Sequence, residues 1–229
     1  MTGLFVLLFS VACGPKVVRM PGSTKSLGRP RVVQRNIPAA EPASESKERS
    51  FSKPKKGEQI ALAAEDFLGD KSLTVDGNNY RYDCSGFVMA VYAEADIPIN
   101  GSTKMLYELS KEKGVLHRRK IPNVGEVVFF DNSHDRNKNG KRDDDLTHIA
   151  VVEKVDSDGT ITLIHLGGSG IVRTYMNLRR ADVHKSPEGK VLNSYLRVAN
   201  RKDPGPRLTG ELWRAFGALY SIPGYELEG

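Results

Sequence analysis

Side chains that often build binding sites are scarce in this 229-residue chain: two cysteines, Cys13 and Cys84, one tryptophan, and 7% aromatic residues. Two cysteines cannot form a thiolate metal cluster or the multi-bridge framework of a small secreted scaffold. No zinc-finger spacing and no aromatic–basic motif of an RNA-binding module is present, so a nucleic-acid partner is not expected. Long apolar runs are missing too. The N-terminal run, Leu4 to Phe9, is too short to cross a bilayer as a mature helix. There is no internal repeat, which excludes a solenoid or a propeller.

Charge is unevenly placed. Residues 14–56 carry eleven basic and three acidic side chains, a net of +8, which leaves −2 of the chain's +6 for all other residues. A basic globular face is therefore not indicated. The 14–56 segment is poor in large apolar residues and rich in Pro, Ser, Lys and Arg, the composition of a disordered linker or of a tether near an anionic surface. The compact part should begin near Gly57.

Leu4 to Ala12 has the length of a signal-peptide apolar core. Ser10-Val11-Ala12-Cys13-Gly14 follows and resembles a bacterial lipobox, although Ser10 stands where Leu is usual and no basic residue precedes the apolar run. The expectation is an exported lipoprotein anchored to the membrane through lipid on Cys13, facing the cell wall or periplasm. A cleaved secreted protein and an uncleaved anchor are the alternatives. Lipidation of Cys13 would leave Cys84 as a single thiol in an oxidising compartment, which points to a chemical role for it.

Apolar spacing predicts helices over Gly57 to Leu68, Cys84 to Ala95 and Ser102 to Lys111, with Asp83 as a helix cap. Strands are expected at Glu126 to Phe130, His148 to Val155 and Thr160 to Leu166, the last two joined by the turn Asp156 to Gly159. Ile171 to Thr174 and Asn193 to Val198 are weaker strands. Leu208 to Tyr220 reads as a terminal helix. Helices first and antiparallel strands after define an α+β fold.

A cysteine in the first turn of a helix lies at the positive end of the helix dipole, which favours the thiolate. The N–H groups of that turn point at whatever the sulfur attacks and suit an oxyanion. In Tyr82-Asp83-Cys84-Ser85-Gly86-Phe87, Gly86 would let substrate approach. A cysteine nucleophile needs an imidazole base. If Val155 pairs with Thr160, then Ala150 pairs with His165, and His148 lies diagonally across from His165 on the same face. One imidazole can then take the thiol proton while the other orients it. His117, His134 and His184 lie in polar stretches and are expected to be solvated.

Three blocks, Tyr82 to Phe87, Gly125 to Phe130 and Thr147 to Val152, resemble the NlpC-type cell-wall cysteine peptidases in order and rough spacing over about Gly57 to Thr174. The resemblance implies a papain-like α+β core, with helices packed on an antiparallel sheet, and a Cys-His-His or similar triad. It also implies cleavage of peptidoglycan stem peptides, often between D-Glu and diaminopimelate. Cys84 would be the nucleophile, His148 the base and His165 the orienting group. Tyr82, Asp83 and Ser85 match substrate-site positions. The expected organisation is a signal segment at 1–13, a linker at 14–56, a catalytic domain at 57–200 and a C-terminal extension at 201–229. The expected partner is peptidoglycan, and the expected state is a monomer. The alternatives are an amidase or other acyl-transfer enzyme on the same fold, as in the related CHAP amidases, and a non-catalytic wall-binding lipoprotein.

One stretch departs from that family. Asp135, Asn137 and Asn139 alternate and are followed by Gly140, as in a calcium loop. The Lys141 carbonyl with Asp143 or Asp145 would complete the oxygen set. Leu146 occupies the position where a bidentate Glu would stand. The expectation is a structural calcium ion that orders His148, with no cofactor needed for the chemistry; the alternative is a charged surface loop.

Overall fold

The structure, a computed structural model, describes residues 55–201 and 203–224, all within one compact unit of residues 50–229. The expectations for the signal segment, for lipidated Cys13 and for the linker up to residue 54 lie outside the described residues.

Helix α1 is Lys56–Asp66, and its stripe of Ile60, Ala61 and Ala64 is buried. Strands β1 (Thr74–Val75) and β2 (Asn78–Asn79) flank a tight turn in which Asp76 and Gly77 both take positive φ. Helix α2 is Cys84–Glu94 and α3 is Thr103–Glu112. The strands are β3 (Leu116–His117), β4 (Val127–Phe130), β5 (His148–Val155), β6 (Ile161–Gly167) and β7 (Gly170–Met176). A single turn of helix, α4 (Thr209–Leu212), leads into β8 (Trp213–Gly217). The expected α+β fold is present, as helices packed on an antiparallel sheet.

The main sheet runs β3-β8-β4-β5-β6-β7, with every neighbouring pair antiparallel. It separates two cores. Phe87, Val88 and Val91 of α2 and Ile60 of α1 pack on the face that carries Phe129, Ile149, Val151 and Ile164. Val128, Phe130, Ala150, Val152, Leu163 and Phe216 pack on the other face with Leu178 and Leu212. Both faces are covered, which is why Val127–Phe130 is a continuous apolar run with no exposed member. Each fully buried side chain of this size contributes roughly 1.5–3 kcal/mol.

The terminal helix expected over Leu208 to Tyr220 is not formed. After one turn the chain extends, because β8 fills the slot between β3 and β4: Phe216 lies opposite Val128 on one side and His117 on the other. The spacing of Leu212, Phe216 and Leu219 looks helical, but interior pairing overrides it. Gly217 lets the end of β8 pass close to α3, since a Cβ there would meet Ser110 Oγ at 2.7 Å. Residues 213–217 thus supply an interior strand to the same unit as residues 57–200 rather than an appendage. Asn193 to Val198 is not a strand either, and it contributes only the bridge of Tyr195 to Leu208.

The β5–β6 hairpin differs from expectation at its turn and agrees with it further along. Val155 pairs with Ile161 rather than Thr160, one residue out of the expected register. An irregularity between Val152 and Lys154 leaves Glu153 as an extra residue on β5, and the pairing resumes with Val151 opposite Ile164. Continued by one residue, that register sets Ala150 opposite His165, as the sequence predicts.

Truncating Phe216 to Ala should destabilise the domain by about 3–5 kcal/mol, because the side chain is fully buried in an interior strand. Urea unfolding of the variant checks this; a loss under 1 kcal/mol, about the scale of a surface change, would mean that β8 is peripheral to the sheet.

Candidate active site

Cys84 is the first residue of α2 because Asp83 caps that helix. The Asp83 carboxylate accepts from the Gly86 N–H at 2.8 Å and from the Ser85 hydroxyl at 2.9 Å. It also pairs with Arg81. Burial alone would raise its pKa, but these hydrogen bonds outweigh burial and hold it below the usual carboxylate range. The hydroxyl of Ser85, 4% exposed, is spent on this cap. Gly86 also has a packing role. A Cβ there would stand 1.8 Å from the Arg81 carbonyl oxygen, so glycine lets the chain fold back on the helix start.

The Cys84 sulfur lies 3.9 Å from Thr103 Oγ1, and the backbone N–H groups of Ile149 and Ser85 lie near it. Burial pushes the thiol pKa up, the Asp83 carboxylate adds to the rise, and the Thr103, Ile149 and Ser85 donors oppose it. The net direction is upward. The lowered value expected from the helix N-terminus is not found, because desolvation of the anion exceeds what the first turn returns.

His148 opens β5 next to Ile149, and His165 stands on β6. Both are nearly buried, at 8% and 9% exposure. His148 Nε2 and His165 Nδ1 are 2.7 Å apart, with the rings perpendicular. Gly167 makes room for this contact, since a Cβ there would meet His165 Cε1 at 2.8 Å. Burial, with His165 and His134 nearby, holds the His148 pKa well below that of free histidine. Burial lowers His165 to about 4. Both rings are therefore neutral near pH 7. A lone pair on His148 Nδ1 requires the proton on Nε2, donated to His165 Nδ1, with the second proton of the pair on His165 Nε2.

Tyr82, Asp83, Cys84, His148 and His165 line one cleft of about 630 Å³. Tyr82 is half-exposed and its hydroxyl donates to the Asp70 carbonyl at 2.6 Å. The cleft also takes in residues that sequence reasoning missed: Ser133 and His134, the 167–169 hairpin tip, and a wall that includes Tyr195 and Val198. His134 is exposed, as expected, but its Nδ1 is held by Ser133 Oγ at 3.2 Å. His117 and His184 are not free in solvent. His117 bonds the buried Glu126 at 2.8 Å, and His184 bonds the Asn193 carbonyl at 2.7 Å.

In the 135–145 loop, Asp135 accepts from the N–H groups of Asn139 and Gly140, at 3.2 and 2.8 Å. The side-chain amides of Asn137 and Asn139 both reach Asp143. Asp135, Asn137, Asn139 and Asp143 are thus gathered, with the Lys141 backbone held to Asn139 Oδ1 at 2.8 Å. Asp145 faces elsewhere, 3.4 Å from Arg214. Among the described residues no group of three or more His, Cys, Asp and Glu is placed to hold a metal ion.

A half-buried thiol at a helix start, facing a cleft shared with a neutral imidazole pair, is the equipment of an acyl-transferring hydrolase. Residues 75–166 match the family model described as the CHAP domain. This is a cysteine/amidase hydrolase domain related to the NlpC-type peptidoglycan hydrolases, and it supports an enzyme acting on peptidoglycan. The match spans Cys84, His148 and His165. No curated protein and no solved structure matches the chain.

The imidazole pair should make stability depend on pH. His165 is lowered from 6.5 to about 4 and His148 is lowered as well. A depressed pKa gives stability that is fully present above about pH 6.5 and is lost as pH falls toward about 4. For His165 that is about 3 kcal/mol. The melting temperature of His165→Gln should fall less than that of the wild type between pH 6.5 and 4; parallel curves would mean that the ring is not buried neutral.

Proposed function

We propose that this protein is a peptidoglycan-cleaving cysteine hydrolase in which Cys84, His148 and His165 act as one unit. The supporting observation is the single cleft that holds the helix-start thiol beside the hydrogen-bonded imidazole pair. The resting state is a neutral thiol with a neutral imidazole. As the sulfur attacks the substrate carbonyl, its proton passes to His148 Nδ1, and the carbonyl oxygen gains negative charge near the Cys84 N–H at the helix start. His165, accepting from His148 Nε2–H, fixes the ring and stabilises the imidazolium. When the carbon–nitrogen bond breaks, His148 gives the proton to the departing amine. Water, activated by the same ring, then hydrolyses the thioester and restores the thiol.

The scissile bond in this reading is in the stem peptide, between D-Glu and diaminopimelate. The match to a CHAP domain favours a second reading, cleavage of the amide between N-acetylmuramic acid and L-Ala. Digestion of purified peptidoglycan by the full chain, followed by mass spectrometry, separates the two: the first yields new amino termini within the stem, the second frees whole stems from the glycan. Cys84→Ala should lower turnover by at least about 10³-fold with the fold intact by circular dichroism. Wild-type turnover in that variant would refute the nucleophile.

Export and anchoring through lipid on Cys13, with the domain working as a monomer, complete the proposal; the anchor rests on the lipobox-like sequence alone. Calcium is proposed for the 135–145 loop through Asp135, Asn137, Asn139, the Lys141 carbonyl and Asp143, with Asp145 left to Arg214. The loop joins β4 to β5, so ordering it would narrow the positions open to His148. Chelator should lower activity and melting temperature, millimolar calcium should restore both, and Asp135→Ala should respond to neither. A wild type indifferent to chelator and to calcium would leave the loop metal-free.

A further inference from the structure

We infer that Thr103 is a further catalytic residue, donating its hydroxyl hydrogen to the Cys84 sulfur whenever that sulfur carries negative charge. The inference rests on the hydrolase reading above and adds a residue to it. Thr103 is 7% exposed. Among the described residues its hydroxyl has a single hydrogen-bond partner, Cys84 Sγ at 3.9 Å. A buried hydroxyl with no acceptor but a sulfur is well placed to meet an anion.

The chain is built to present that hydroxyl. Ser102 caps α3, its side chain accepting from the Met105 N–H at 3.4 Å, which makes Thr103 the first helical residue. At that position no preceding turn offers a carbonyl for the Thr hydroxyl to bond back to, the usual fate of Thr within a helix. Gly101 shapes the entry, with φ +139 and a missing Cβ that would fall 2.9 Å from Met105 Cβ. Its N–H reaches Met89 Sδ on α2 at 3.3 Å. This contact ties the start of α3 to the helix that Cys84 opens.

The chemistry needs such a donor. Desolvation and the Asp83 carboxylate both disfavour the thiolate. The other titratable or charged groups around the sulfur are Arg81, which is paired with Asp83, then His148 and His165 from the sheet, His134 from the β4–β5 loop and Tyr82. None is a fixed cation aimed at the sulfur. The remaining donors, the Ile149 and Ser85 N–H groups, belong to the backbone. Thr103 is the one side-chain hydroxyl among them. A thiol can itself donate and gains little from a Thr partner, whereas a thiolate can only accept. The bond therefore strengthens as the proton leaves for His148. It strengthens again when the thioester carbon–sulfur bond breaks and the sulfur departs with the electron pair.

The test is the rate of alkylation of the full chain by iodoacetamide as a function of pH, which reports thiolate without any substrate. Thr103→Val keeps the shape and removes the donor. It should alkylate about tenfold more slowly than wild type near pH 8, with its inflection displaced upward. Thr103→Ser should return toward the wild-type profile. Superimposable profiles for Thr103→Val and wild type would overturn the inference, and so would equal displacement in Thr103→Val and Thr103→Ser, which would indicate packing alone. A wild type inert on peptidoglycan would overturn the hydrolase reading instead, with the alkylation result still deciding the Thr103–sulfur bond.

Discussion

The 2.7 Å bond between His148 Nε2 and His165 Nδ1 sets the direction in which the His148 ring can face. That bond depends on several features of the sheet. The extra residue at Glu153 restores the pairing that brings the two rings to one face. Gly167 leaves space for the second ring. The 177–212 segment, through Leu178 and Leu212, closes the face that carries them. Without that cover the rings would be hydrated and free to turn. The sheet fixes the histidines, and Ile149 on the same strand packs with Phe87 and Val88 of α2. The two halves of the site thus meet through the core as well as through the cleft.

Burial has a second effect, on charge. It raises the thiol pKa and lowers both imidazole pKa values, so separated charges are disfavoured in the resting cleft. The site resembles an uncharged pair waiting for an acceptor more than a standing thiolate–imidazolium pair. In the reading proposed above, the ion pair would form only as a carbonyl arrives to take the sulfur's electrons. The helix start then matters less for forming the thiolate than for receiving the oxyanion.

Much of this was legible in the residues. The Asp83 cap, the helix it opens and the apolar runs of β4, β5 and β6 follow from local chemistry, and local signals located them to within a few residues. The two histidines were found by counting from a turn. That count held because the bulge cancelled the turn's extra residue, a compensation that no local rule foretold. Long-range pairing was not legible. Local spacing cannot show that Trp213–Gly217 fits between β3 and β4, and helical periodicity there was misleading. Thr103 was equally hidden, since its meaning lies in a contact 19 residues back along the chain. The packing demand on Gly86 is hidden too, because the Arg81 carbonyl that crowds it is visible only in three dimensions.

The position of β8 has a consequence in time as well as in space. Cys84, His148 and His165 all precede it in the chain, yet the sheet that holds the histidines has a gap between β3 and β4 until residue 217 is present. A chain still growing, or still threading through a pore, would contain every reactive group and lack the closed frame that aligns them. A hydrolase with this topology would carry its own delay: the blade is made early and the hinge pin last.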